Sequence, residues 1–266
     1  MTRDEIIMEK QKIIDKYGVW TAHTIHLGYD VYTRDVDIIE TWRVDRYRQI
    51  LKNFGYNDLS KLRILDLASC EGLFAIEFAR HGAKTLGIEG RRANLEKAIF
   101  AKNVLELSTA EFVQDDVRNL NADKYGVFDV TFCCGILYHL DMPDVIRFIK
   151  KMSEVTKHLL FIDTHVSLPN LRKNPFNLSK MSDFVWEEQS YKGRYYVEQG
   201  STPEEKESAL WSSLDNIKSF WLERSSLYKA LNQYDFVSIY ENLWDPQVPI
   251  DEIDRLNFIA VKNQNN

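Results

Sequence analysis

The chain has 266 residues, 44% of them hydrophobic, which is enough to bury one large core with a cap and excludes intrinsic disorder. Its 34 Lys+Arg against 40 Asp+Glu give a net charge of −6, arguing against a polyanion as main partner. Apolar runs such as 159–162 fall far short of the roughly 20 residues of a membrane span. The charged amphipathic start from Met1 to Glu5 lacks the apolar stretch of a secretion signal, so a cytoplasmic protein is expected. Three cysteines, two of them adjacent at Cys133 and Cys134, make no disulfide framework. All six tryptophans lie outside residues 61–164.

In chain order, helical patterns at 2–16 and 35–54 around a loop form an N-terminal lid, residues 1–60. Residues 61–164 then alternate short apolar runs with helical patterns, the signature of βαβ units. The spacing predicts strands at 63–67, 84–89, 111–114, 128–134 and 158–163, and helices at 72–81, 94–105 and 141–155, the last with Asp141 as N-cap. Residues 165–221, with Pro169, Pro175, Gly193, Gly200 and Pro203 among scattered aromatics, are too long for a simple connection and are expected to be an inserted cap. A helix at 222–233 and strands at 236–240 and 256–261 complete the core within residues 222–266. The expected fold is α/β: a Rossmann-like, seven-stranded, doubly wound sheet with helices on both faces, a lid before it and a cap between strands five and six.

The first strand of this sheet runs into Ala68-Ser69-Cys70-Glu71-Gly72, a tight turn of small residues at the sheet end where such folds bind ligands. The second strand ends in Glu89, and a carboxylate at that edge takes ribose hydroxyls, so a nucleoside is implied. Ala68 and Cys70 stand where the dinucleotide fingerprint has glycines, which favours an adenosine without a pyrophosphate.

These segments, 65–72, Gly87-Ile88-Glu89-Gly90, Gln114-Asp115-Asp116-Val117 and Cys134-Gly135-Ile136-Leu137-Tyr138-His139-Leu140, resemble class I S-adenosylmethionine-dependent methyltransferases. The resemblance implies S-adenosyl-L-methionine as cofactor. It assigns Asp66, Ala68, Ser69 and Gly72 to the methionine end, Glu89 beside Gly90 to the ribose, Asp116 with Val117 to the adenine, and Cys134 with Gly135 to the reacting methyl. The segment 135–140 and Gly193-Arg194-Tyr195-Tyr196 are similar to the tRNA wobble-uridine carboxymethyltransferase branch. Relatives of that branch sit in bacterial capsule and surface-polysaccharide gene clusters, including enzymes that methylate a phosphoramidate.

A sulfonium methyl is already activated, so the protein must align a nucleophile and remove a proton. His139, just after the fourth sheet strand, and His165, just after the fifth, are the candidate bases, with Asp163 two residues from His165 as a candidate orienting carboxylate. Trp20 and His23 of the lid, Tyr138, and Arg194, Tyr195, Trp221 and Arg224 of the cap and its edge are the candidate acceptor contacts. The bland alternatives are a helix-bracing histidine, a packed aromatic cap and surface arginines. His23 and His26 lack further ligands at motif spacing, so no metal is expected.

The leading expectation is methyl transfer to a small-molecule oxygen, of a sugar, phosphorylated metabolite or phosphoramidate in capsule assembly. The alternatives are a tRNA-modifying enzyme and a catalytically silent cofactor-binding module. Residues 165–266 carry 11 Lys+Arg against 15 Asp+Glu and residues 1–60 carry 9 against 10, opposite to what nucleic-acid phosphates require. No membrane partner is expected, and oligomeric state is left open, a homodimer among the options.

Overall fold

The structure is a computed structural model that describes residues 1–35, 41–170, 174–242 and 253–263. The chain divides into two compact units, Met1–Val117 and Arg118–Asn266. The first holds α1 (Arg3–Tyr17), β1 (His26–Gly28), β2 (Val31–Tyr32), α2 (Thr41–Asn53), β3 (Arg63–Leu67), α3 (Leu73–Arg80), β4 (Lys84–Glu89), α4 (Arg92–Val104) and β5 (Ala110–Gln114). The second holds α5 (Ala122–Tyr125), β6 (Phe128–Cys134), α6 (Asp144–Val155), β7 (Thr156–His165), β8 (Ser182–Trp186), β9 (Gln189–Val197), α7 (Pro203–Ser208), β10 (Lys218–Leu222), α8 (Arg224–Gln233), β11 (Phe236–Glu241) and β12 (Arg255–Lys262).

A seven-stranded sheet in the order β11-β12-β7-β6-β3-β4-β5, with helices around it, forms the Rossmann-like frame that the alternation predicts. Within the first unit, β3, β4 and β5 are parallel, and the registers Leu67↔Ile88 and Glu89↔Gln114 bring their carboxyl ends into line. The apolar run of β3 is buried from Ile64 onward, and α3 buries every residue from Leu73 to Ala79, as a helix enclosed by its own unit must. Within the second unit, β6 and β7 are parallel with Cys134↔Asp163 paired, and β12 returns antiparallel with His165↔Arg255 paired. Helix α6 buries Val145, Ile146, Phe148, Ile149 and Met152 at helical spacing, each contributing roughly 1.5–3 kcal/mol.

All seven sheet strands fall within two residues of their predicted bounds at each end. Helix α6 differs at its start. The Asp141 carboxylate takes the neighbouring Met142 N–H at 2.7 Å, and Pro143, with no N–H to satisfy, precedes the first helical residue instead. The C-terminal helix likewise begins at Arg224 because residues 218–222 are drawn into β10 by antiparallel pairing with β9.

The inserted segment carries its own three-stranded antiparallel sheet, β10-β9-β8, which the sequence pattern does not announce. The β8–β9 hairpin turns through Glu187 and Glu188, both left-handed at φ 47° and 63°, where Asn-Gly or Asp-Gly is the usual signal. At Gly193, opposite Leu222, an added Cβ would lie 2.4 Å from both Phe220 and the Trp221 carbonyl, so β9 and β10 close only around a glycine.

Candidate active site

The first unit gathers Asp66, the turn Ala68–Gly72, Glu89, Gly90, Asp116 and Val117 at the carboxyl ends of its three parallel strands. Ala68 and Cys70 adopt φ 52°, the left-handed conformation that glycine takes at low cost, so the turn keeps the glycine-type shape without the glycines. Its backbone is pinned by Ser69 N–H to the Ile88 carbonyl (3.0 Å) and Gly72 N–H to the Ser69 carbonyl (2.8 Å). Gly72, at φ 88°, opens α3, and a Cβ there would meet Ala98 at 2.8 Å.

Glu89 is buried and accepts the N–H groups of Cys70 and Arg91, each at 2.8 Å. Burial pushes its carboxyl pKa up, opposed by those two bonds and by Arg91 and Asn94. Asp66 accepts the Ala75 N–H at 3.1 Å, and burial first, then the Glu89 charge, raise its pKa to about 7. A buried carboxyl poised there ionises fully once a cation such as an ammonium arrives. Ser69 Oγ is buried with no hydrogen-bond partner among the described residues. An orphaned hydroxyl, a ribose-type carboxylate and a cation-seeking aspartate on one edge fit an aminoacyl nucleoside.

The N-terminal segment, expected as a lid, is anchored inside this unit by Glu71. Its fully buried carboxylate accepts the backbone N–H of Thr21 (2.8 Å), Ala22 (2.9 Å) and His23 (2.8 Å), and Lys97, equally buried, sits 3.4 Å away while donating to the Val19 carbonyl at 2.6 Å. Leu73, the first residue of α3, donates its N–H to His23 Nδ1 at 3.3 Å, so His23 supplies an acceptor that Gly72 lacks. Burial, with Arg43 and Arg34 adding, lowers the His23 pKa to about 3. Trp20 is buried against Phe100, with Lys97 over its ring. Trp20 and His23, expected to meet the acceptor, are thus placed in lid packing.

In the second unit His139 lies on a single 3-10 turn (Leu137–His139), its carbonyl held by Asn216 Nδ2 at 2.7 Å. Its Nδ1 lies 2.9 Å from Oε1 of the buried Glu198, whose other oxygen accepts from Ser212 Oγ (2.8 Å) and the Ser213 N–H (3.1 Å). Burial would raise the Glu198 pKa, but the His139 bond and charge and the Ser212 and Ser213 bonds outweigh it, and the net shift is downward. A carboxylate only accepts, so Nδ1 carries the hydrogen and Nε2 presents its lone pair.

Tyr138, beside His139, belongs to an aromatic cluster. Its ring meets His165 edge-on at 4.8 Å, His165 stacks on Trp221 at 4.6 Å, and Phe176 and Tyr196 flank Trp221 at 5.1 and 5.3 Å. A space of about 10 Å³, room for about one water, lies beside Tyr138 and His165 against Val145, Phe220 and Leu222, while Tyr138, His165 and Tyr196 keep partly exposed edges. Burial, with Arg255 next, lowers the His165 pKa to about 4. Such a neutral ring is a weaker proton acceptor near pH 7 than one of ordinary basicity. Asp163 engages Arg255 Nε at 2.7 Å, and the carboxylate nearest His165 is Asp254, 4.0 Å away.

Arg194 is 9% exposed and spends its guanidinium on the carbonyls of Leu168 (3.3 Å), Pro169 (3.1 Å) and Ser179 (2.9 Å), tying the start of the insertion to β9. Tyr195 packs on Phe220 under Lys218, and Arg224 lies 3.3 Å from Glu241. Cys134 and Gly135 end β6, the Gly135 N–H bonding the Asp163 carbonyl at 2.8 Å. Glu198, Ser212, Asn216 and Arg255 carry no motif spacing that marks them in the sequence. Among the described residues no group of three or more His, Cys, Asp or Glu is placed to hold a metal, and no helix is long and apolar enough to cross a membrane.

Residues 64–158 match the family described as "Methyltransferase domain". The chain is 35% identical over 88 residues, 32% of its length, to the ubiquinone biosynthesis O-methyltransferase of Rickettsia typhi, and 27% identical over 117 residues, 44% of its length, to that of Acinetobacter baylyi. These stretches span 34% and 47% of the relatives, so the chain covers less than half of either. Among solved structures, the N-terminal domain of EvdMO1, crystallised in the presence of SAH and D-fucose, superposes with a TM-score of 0.70 at 22% identity, covering 99% of this chain and 98% of that one. Magnesium protoporphyrin IX methyltransferase (ChlM) from Synechocystis PCC 6803 with bound SAH gives 0.55 at 16% identity, covering 98% of each chain. The Rossmann-like fold of this chain is therefore the one these structures carry, over nearly its whole length.

Proposed function

We propose that the chain is an S-adenosylmethionine-dependent O-methyltransferase that methylates an oxygen of a small, sugar-containing acceptor of the kind used in surface-polysaccharide assembly. The observation that carries this reading is the aligned carboxyl edge of β3, β4 and β5, where Asp66, Ser69 and Glu89 offer a cation partner, a free hydroxyl and a ribose acceptor together. Asp66 and Ser69 would hold the methionine end, Glu89 beside Gly90 the ribose, and Asp116 with Val117 the adenine. Cys134 and Gly135 would lie beside the methyl. When bound, the cofactor supplies a methyl group already activated on sulfur. The protein's own residues then hold the acceptor in line and take its proton, which assigns the base to His139, whose Nε2 lone pair is fixed by Glu198.

The matched methyltransferase domain and the O-methyltransferase relatives support the reaction class. The sugar reading is supported by the D-fucose present with the EvdMO1 domain and by the partly exposed rings of Tyr138 and Tyr196, which suit the apolar face of a sugar ring, while Trp221, expected to meet the acceptor, is buried beneath them. A phosphorylated sugar methylated on a ring hydroxyl belongs to the same acceptor class. The charge balance of the lid and of residues 165–266 disfavours tRNA. The test is methyl transfer from labelled cofactor to a panel of nucleotide-linked and phosphorylated sugars, with unmodified tRNA alongside. Transfer to a sugar is expected, and transfer to tRNA alone would overturn the reading.

A further inference from the structure

We infer that Glu198 is the positioning residue that makes His139 a general base, and hence that the acceptor presents a neutral hydroxyl and not an oxygen that is already ionised. The inference rests on the methyltransferase reading and deepens it. Glu198 is 5% exposed, its side chain fully enclosed, and its carboxylate is shared between His139 Nδ1, Ser212 Oγ and the Ser213 N–H. A buried carboxylate is costly unless every partner is in place, and here three donors converge on it. The loop that supplies Ser212 and Ser213 also supplies Asn216, which fixes the His139 carbonyl, so both ends of the pair are tied to one segment. His139 keeps 11% side-chain exposure, and Nε2 bonds nothing among the described residues.

A carboxylate fixed on Nδ1 does two things for a base. It locks the tautomer with the Nε2 lone pair outward, and it stabilises the imidazolium once a proton arrives. In the step implied, the acceptor oxygen forms a bond to the methyl carbon as the sulfur–methyl bond breaks. S-adenosylhomocysteine leaves with the bonding pair, and the hydroxyl proton passes to Nε2, later to be released to solvent. Glu198 stays a carboxylate throughout. A phosphate or phosphoramidate oxygen, already anionic, has no proton to surrender and gives such a pair no work. The other groups facing His139 are the neighbouring Tyr138 ring, His165 with its lowered pKa, Tyr196, which feels the Glu198 charge, and the Asp163–Arg255 pair behind Tyr138. None of these offers Nδ1 a second carboxylate within hydrogen-bond reach.

The experiment uses the full chain with the best sugar acceptor. Glu198→Gln can keep an acceptor oxygen for Nδ1–H while removing the charge, at the loss of the oxygen that accepts from Ser212 and the Ser213 N–H. The expected result is a kcat loss of ten- to a hundredfold at neutral pH with acceptor KM little changed. The acid limb of the kcat/KM profile should move to lower pH, because the imidazolium loses its carboxylate partner, and affinity for S-adenosylhomocysteine should be as in the wild type. Glu198→Asp should recover part of kcat. Should Glu198→Gln fold poorly, Ser212→Ala gives the milder version. A His139→Gln, Glu198→Gln double variant should lose no more than His139→Gln alone, because the two act as one unit. Wild-type kcat and an unmoved pH profile in Glu198→Gln, or additive losses in the double variant, would overturn the inference while leaving the methyltransferase reading intact. A wild-type enzyme that methylates no acceptor would overturn both.

Discussion

Acid sensitivity should be written into the N-terminal segment by His23. Its Nδ1 accepts the N–H that opens α3, and burial with two nearby arginines keeps the folded pKa near 3 against an ordinary 6.5. The unfolded chain therefore binds the proton first. Stability is complete above pH 6.5 and falls with acidity until the native ring is itself protonated near pH 3. Each pH unit within that window costs about 1.4 kcal/mol, roughly 5 kcal/mol in all, a large part of the 5–15 kcal/mol that holds a typical domain. His23→Asn places an amide oxygen near the position of Nδ1 and removes the titration. Urea denaturation at pH 7.5 and pH 4.5 should show the wild type losing about 3 kcal/mol more than His23→Asn between the two conditions. Equal losses in both proteins would refute the reasoning.

Four further outcomes are expected. Lys97→Met leaves Glu71 as an uncompensated buried charge and should cost about 3–5 kcal/mol in thermal or chemical denaturation, with faster amide exchange at Thr21–His23. Ala68→Gly relieves a left-handed residue and should raise stability by about 1 kcal/mol in the same assay. Gly193→Ala forces a methyl to within 2.4 Å of β10 and should destabilise by about 1–3 kcal/mol, read as an earlier melting transition. Trp221→Ala removes the buried centre of the aromatic cluster beneath His165 and Tyr196 and should cost about 3–5 kcal/mol in the same denaturation assay.

The sheet was legible because buried parallel strands are nearly continuous apolar runs: residues 84–89 and 128–134 are observed as expected. That Ala68 and Cys70 stand at glycine positions was legible, whereas their left-handed backbone was not, because neither residue type marks that conformation. The cap sheet was not. Its hairpin turns on Glu187-Glu188, residues with no turn preference, and β8 is partly exposed, which blunts any alternation. Glu198 was invisible for another reason. It lies 59 residues from His139, and only the pairing of β9 with β10, followed by the Ser212–Asn216 loop, brings the two side chains together. The proposed role of Asp163 beside His165 rested on period-two spacing alone, and the side chain of Arg255, which pairs with His165 across β12, engages Asp163 instead.

The most direct measurement is calorimetric titration of the wild type and of Glu89→Ala with S-adenosylhomocysteine, with NAD and ATP as competitors. Saturable one-to-one binding, lost at least tenfold in Glu89→Ala and unaffected by either competitor, is predicted. Preferential binding of NAD or ATP, or undiminished binding by Glu89→Ala, would contradict the assignment of the β3–β5 edge as the cofactor site.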